Sequence, residues 1–147
     1  MTNAKPKVLF LCTGNSARSQ MAEAYLRHLA GDQYDVYSAG IEPKGINLYT
    51  VRVMDEVGVS LDGQYSKDVD EYVGRVNFDT LITVCGHADE SCPRALLDVS
   101  QRIHWDLEDP AAMMGNEEET AAKFRQVRDQ IEQHIQEWIA DPDKVTG

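Results

Sequence analysis

Short apolar runs alternate with segments of helical period along the chain, and this alternation constrains the fold more than any other feature. "KVLFL" (residues 7–11) is apolar without a break, the pattern of a strand buried on both faces. From 16 to 30 the apolar positions Met21, Ala22, Tyr25, Leu26 and Leu29 recur at helical spacing, and Gly31 marks a stop. "DVYSAG" (35–40) predicts a second strand. "NLYTVRVMDEVG" (47–58) predicts a second helix that ends at Gly58. "SKDVDEYV" (66–73) reads as a short third helix, and "FDTLITVC" (78–85) as a third strand ending on a cysteine. "RIHWDLEDP" (102–110) begins as a strand and breaks at Asp109-Pro110. In the last helix Phe124, Val127, Ile131, Ile135 and Trp138 share one face, and Asn116 with Glu119 forms a capping-box pattern. Strand–helix repetition of this kind predicts an α/β fold, a parallel sheet with helices on both faces. No linker, internal repeat or low-complexity segment divides residues 1–147, so one domain is expected, with "DPDKVTG" as a frayed tail.

Charge narrows the partners. The 147 residues carry a formal net charge of −11. That argues against nucleic acid, whose binding needs a basic surface, and against an anionic membrane surface. An anion bound by this chain must be held by a local device that works against the overall field. No stretch approaches the roughly 20 apolar residues of a membrane span. "MTNAKPK" runs into the first strand without a cleavage-site pattern, so the cytoplasm is the expected compartment. The three cysteines, Cys12, Cys85 and Cys92, are an odd number and do not read as a disulfide framework.

In open α/β sheets, ligands sit beyond the carboxyl ends of the strands. Cys12, Cys85 and Asp109 all fall at such ends. The first segment, "CTGNSARS", is the most specific. Cys12 and Arg18 bracket a loop of Thr13, Gly14, Asn15, Ser16 and Ala17, which runs into a helix. Backbone N–H groups of such a loop can converge on an oxyanion, helped by the helix dipole. Arg18 adds a planar, bidentate donor. The same environment favours a thiolate at Cys12 with a lowered pKa. Ser19 could donate to the sulfur, and Asn15 could brace the loop from inside. A cysteine at a strand end can also be a mere buried hydrophobe, and Asp-Pro a mere turn. The strand before this loop, the Gly/Asn/Ser filling and the helix after it favour a nucleophile in an anion cradle.

"CTGNSARSQMAEA" resembles the signature of the low-molecular-weight protein tyrosine phosphatases and of the arsenate reductases that share their fold. The resemblance implies a three-layer α/β/α architecture around a central, mostly four-stranded parallel sheet. It implies a nucleophilic Cys12, an oxyanion cradle from Thr13 to Arg18 and a general acid from Asp109 in "WDLEDPA". A phosphatase hydrolyses the covalent adduct with water; a reductase attacks it with a second thiol. "TVCGHADESCP" bears on that choice. Its two thiols could be inert or bind metal with His87, but the loop is too polar to bury them well, and no fourth ligand is evident.

Cys85-x6-Cys92-Pro resembles the redox loop of the thioredoxin-coupled arsenate reductases, as do "VYSAGIE", "HWDLEDPA" and "FRQVRDQIEQHI". That resemblance implies reduction of arsenate to arsenite by a relay through Cys12, Cys85 and Cys92, with thioredoxin as external dithiol. It implies no bound cofactor and no metal, and a monomer is expected. Two alternatives stay open: a phosphatase for phosphate monoesters, and a redox-sensing or oxyanion-binding module without catalysis. Some members carry a further cysteine where this chain has Ala17. Some also bind potassium behind the loop through asparagine, glutamate, serine and aspartate. Asn15, Glu23 and Ser38 match the first three, but Lys67 falls where the aspartate would be. Its ammonium could take the ion's place against Asn15 or Glu23, so no potassium dependence is expected.

Overall fold

The computed structural model describes residues 5–86, 90–96 and 98–142. Strands β1 (Lys7–Cys12), β2 (Asp35–Gly40), β3 (Thr80–Thr83) and β4 (Gln101–His104) form one parallel sheet in the order β2-β1-β3-β4. Among the described residues the helices that accompany it are α1 (Arg18–Ala30), α2 (Leu48–Glu56) and α3 (Glu117–Ala140). Short 3-10 turns lie at Val69–Glu71, Arg94–Leu96 and Pro110–Ala112.

β1 is central, and the order of strands reverses beside it. The chain leaves β1 for β2 on one side and returns to β3 on the other. The carboxyl end of β1 is therefore a switch point, where flanking connections part and leave a crevice. Val8, Leu9, Phe10 and Leu11 are fully buried, as their unbroken apolar run predicts.

Alternation along the strands assigns the two faces. Ser38, level with Phe10 in the β1–β2 register, reaches Glu23 of α1. Phe10 packs on Trp105, which stacks on His134 of α3 at 4.9 Å. This face is covered by α1 and α3. Tyr37 points the other way and meets Tyr72 and Phe78 edge-on at 5.3 Å each. That second face is covered by the segment carrying the Val69–Glu71 turn. The capping box of α3 is present, with Asn116 Oδ1 accepting from the Glu119 amide at 2.8 Å. No helix among the described residues is long and apolar enough to cross a membrane.

Several elements differ from expectation, some of them because of contacts distant in sequence. The helix expected over 66–73 is one 3-10 turn. Gly40 donates to the Lys67 carbonyl and bridges to Asp68, which keeps these residues extended, and Asp68 then caps the turn through the Asp70 amide. β3 is shorter than 78–85. Asp79 receives the Lys7 amide on its carboxylate, and Phe78 is spent in the aromatic cluster. Gly58 stops α2 with a left-handed φ of 72°. Gly31 follows α1 in a right-handed conformation; a Cβ there would lie 2.4 Å from the Arg27 carbonyl oxygen. The frayed tail lies largely outside the described residues.

Candidate active site

The loop from Cys12 to Arg18 lies at the carboxyl end of β1. Its carbonyl groups are all engaged from outside the loop's concave side. Cys12, Thr13 and Gly14 accept from the amides of Ile41, Glu42 and Lys44 at 2.8–3.1 Å. Asn15 accepts from Gln20 Nε2, Ser16 from the Asn47 amide and Thr50 Oγ1, and Ala17 from the Met21 amide. A planar peptide points its N–H opposite to its C=O, so the loop's N–H groups are turned inward. Asn15 donates its amide to the Cys12 sulfur at 3.1 Å, and the Ser19 amide acts on the sulfur in the same sense. The helix start adds to this. Ala17 occupies the N-cap of α1 without a side-chain cap, and no acidic residue stands in the first turn. Its first amides remain disposed toward an anion.

Asn15 has a φ of 47°, the left-handed region that asparagine tolerates better than most side chains. It is held there by a fully engaged amide. Its Oδ1 accepts from Gln20 Nε2 at 2.9 Å and the Lys67 amide at 3.0 Å. Its Nδ2 donates to Ser19 Oγ at 2.8 Å and Ser38 Oγ at 3.0 Å. Ser38 passes its own proton toward Glu23 Oε1 at 2.5 Å. Ser19 Oγ lies 2.7 Å from Cys12 Sγ. With Asn15 donating to it, Ser19 has its own proton to direct at the sulfur. Asn15 thus braces the loop from inside, as read from sequence.

The electrostatics of Cys12 depart from the expected lowered pKa. Burial pushes the thiol up, and this outweighs the Ser19 side chain, the Ser19 and Asn15 amides and Arg18, which all hold it down. Cys12 is 2% exposed and lines a cleft of ≈ 290 Å³. The cleft is lined by the loop, Arg18, Lys44, Asp109 and Ala111.

Arg18 donates through Nη1 to the Leu107 carbonyl at 3.1 Å, and its Nη2 lies 3.9 Å from Asp109 Oδ2. Asp109 caps the Pro110–Ala112 turn, accepting the Ala111 amide on Oδ1 at 3.0 Å. That bond leaves Oδ2 facing the cleft. The loop bearing Asp109 is pinned by Trp105 and Leu107, both buried, and by the Lys123–Glu108 ion pair.

Cys85 follows β3. The ladder continues one step past the strands, with the Val84 amide on the Leu11 carbonyl at 3.0 Å, which brings Cys85 beside Thr13. Thr13 Oγ1 is 3.2 Å from Cys85 Sγ. All three cysteines are thiols, with Cys12 and Cys85 buried and Cys92 half-buried. Cys92 Sγ is 3.7 Å from the Pro93 carbonyl. His87 lies outside the described residues.

Lys67 is 5% exposed and lies behind the loop. Its ammonium donates to the Tyr65 carbonyl at 2.8 Å, lies over the Tyr65 ring and is 3.8 Å from Glu23 Oε1. Its backbone amide, and not its ammonium, is the group that meets Asn15. Burial pushes the ammonium pKa down, while Glu23 and Glu71 hold it up. Sequence reasoning gave no place to Lys44 or Gln20. Lys44 stands just past the end of β2, where the sheet-end rule would have pointed; Gln20 carries no signal short of the folded loop.

Residues 7–145 match the family of the low molecular weight phosphotyrosine protein phosphatases. An arsenate reductase of Halalkalibacterium halodurans is 45% identical over 131 residues, covering 89% of this chain and 93% of that protein. One of Bacillus subtilis is 44% identical with the same coverage. Among solved structures, an arsenate reductase in a phosphate-binding state superposes with a TM-score of 0.78 at 30% identity, over 92% of this chain and 97% of that one. The tyrosine phosphatase Wzb from Escherichia coli K30, in complex with sulphate, also gives a TM-score of 0.78. At 21% identity, over 95% of this chain and 99% of that one, it shares the fold.

Proposed function

Because the chain belongs to the low molecular weight phosphotyrosine protein phosphatase family, we propose that it carries out the arsenate reductase chemistry of its relatives. The substrate is arsenate and the product arsenite. The observation that carries this reading is the placement of Cys85 Sγ against Thr13, on the rim of the loop that holds Cys12. A hydrolase needs no second thiol at that point.

Arsenate enters the cleft as an oxyanion held by the loop amides and Arg18. Cys12 attacks arsenic as thiolate, forming a sulfur–arsenic bond, and Asp109 protonates the departing oxygen, which leaves as water. Cys85 thiolate then attacks Cys12 Sγ. The electron pair of the sulfur–arsenic bond stays with arsenic, which leaves as arsenite, and a Cys12–Cys85 disulfide remains. Cys92 attacks Cys85, frees Cys12 and leaves a Cys85–Cys92 disulfide. An external dithiol, thioredoxin in this reading, reduces that bond by two further exchange steps. The cytoplasm, where thiols stay reduced, suits such a relay. Ser19 and the two amides support the thiolate at the first step. Lys67 supplies a fixed positive charge behind the loop in place of a bound cation.

Hydrolysis of phosphate monoesters is the second reading, and Arg18 with Asp109 would serve it equally. The cleft lining weighs against phosphotyrosine: among the described residues it contains no aromatic side chain to stack on the ring. The test is oxidation of NADPH with arsenate, thioredoxin and thioredoxin reductase. Wild type sustains turnover, and Cys85→Ser does not. Undiminished multiple turnover by Cys85→Ser would overturn the relay.

A further inference from the structure

Arg18 is only partly available to an incoming anion. One guanidinium nitrogen is donated to the Leu107 carbonyl and the other faces the Asp109 carboxylate. An oxyanion with two negative charges must enter a protein whose net charge is −11, past that carboxylate. Loop amides supply dipoles but no net charge.

Lys44 supplies one. It lines the same cleft as Cys12, Arg18 and Asp109. Its amide is fixed to the Gly14 carbonyl at 2.9 Å. Its stem lies along Gly14, where an added Cβ would meet Lys44 Cδ at 3.6 Å and Cγ at 3.7 Å. The stem is thus laid on the loop, and the side chain forms part of the cleft wall. The ammonium also differs from most other cations of the chain. Lys7, Arg27, Arg52, Lys67, Lys123, Arg125 and Arg128 each pair with a carboxylate. Among the described residues no carboxylate pairs with Lys44.

We propose that Lys44 is a second substrate-binding cation of the oxyanion cleft, selecting the doubly charged form of a free tetrahedral oxyanion. The inference rests on this cleft being an oxyanion site and not on the fate of any covalent adduct. Lys44 acts by charge across the cleft mouth and takes no part in bond making.

The experiment measures inorganic phosphate binding through its protection of Cys12 from iodoacetamide, read on the Cys12 peptide by mass. Lys44→Met keeps the stem over Gly14 and removes only the charge. Its phosphate Kd is expected to rise about three- to tenfold, the order expected for losing one unit charge at a solvent-facing cleft. Lys44→Arg should stay within about twofold of wild type. Arg75→Met removes an equal charge from the groove near Lys5 and Lys7 at the amino ends of the strands, and should leave Kd unchanged. Raising sodium chloride should weaken phosphate binding more steeply in wild type than in Lys44→Met. An unchanged Kd in Lys44→Met overturns the proposal. So does an equal loss in Arg75→Met, which would assign the effect to net charge. Where arsenate turns over, KM should rise in Lys44→Met with kcat retained. A wild type that binds phosphate as described but does not reduce arsenate leaves Lys44 its role and sinks the reductase reading instead.

Discussion

At Ser19 the hydrogen bonds acquire a direction. Asn15 is oriented by two donors on its Oδ1, so its Nδ2 must donate, and the Ser19 proton is turned to Cys12. Ser19→Ala removes a group that stabilises the thiolate and not the thiol. The Cys12 pKa, already raised by burial, should then rise further, because a hydrogen bond to the charged form is lost. The acidic limb of kcat/KM and the onset of alkylation should both move to higher pH, and pH profiles of the two proteins check this; a shift to lower pH would contradict the assignment. Lys67 yields a second prediction at this scale. Its ammonium stands between Glu23 and the Tyr65 carbonyl and shares the buried carboxylate with Arg27. Activity at equal ionic strength should therefore be the same in potassium and sodium chloride. A marked activation by potassium would show that the lysine does not serve as the cation.

At the scale of elements, the end of β2 shapes the loop from Cys12 to Arg18. Gly40 pairs with Cys12 in the sheet register. A Cβ on Gly40 would lie 2.7 Å from the Thr13 carbonyl oxygen and 3.0 Å from both the amide nitrogen and the Cβ of Asn15. Two of these three contacts are backbone, so neither a rotamer change nor a flexible side-chain end can relieve them. Gly40→Ala should cost about 1–3 kcal/mol of stability. By displacing Thr13 and Asn15 it should also lower kcat/KM on the order of tenfold to a hundredfold. Denaturant midpoints and kinetics on the same preparation separate the two effects. In the sequence, "DVYSAG" already read as a strand with a glycine end. Its contact with a loop 25 or more positions earlier was not legible, because nothing local records which strand will lie beside β1. The short helix expected over 66–73 failed for the same reason: Gly40 claims the Lys67 carbonyl.

Across the whole molecule, Cys85 comes beside Thr13 because β1 and β3 are neighbours, although 72 residues separate the two. The relay therefore predicts a stepwise defect. Cys92→Ser should release about one arsenite per chain and stop with Cys12 joined to Cys85. Counting arsenite in a single-turnover experiment, with mapping of the disulfide, tests it; sustained turnover would remove Cys92 from the path. The apolar runs, helical periods and capping pattern were enough to determine an α/β fold with its sites at strand ends, since burial and capping depend on spacing along the chain. The loop's composition likewise predicted an anion cradle with a cysteine beside it. Only the tertiary structure decided the strand order that sets Cys85 beside Thr13, the burial that raises the Cys12 pKa, the Gln20–Asn15–Ser19 chain and the presence of Lys44 at the cleft. Each of these depends on groups distant in sequence becoming neighbours and on water leaving between them, and neither is encoded at any single position.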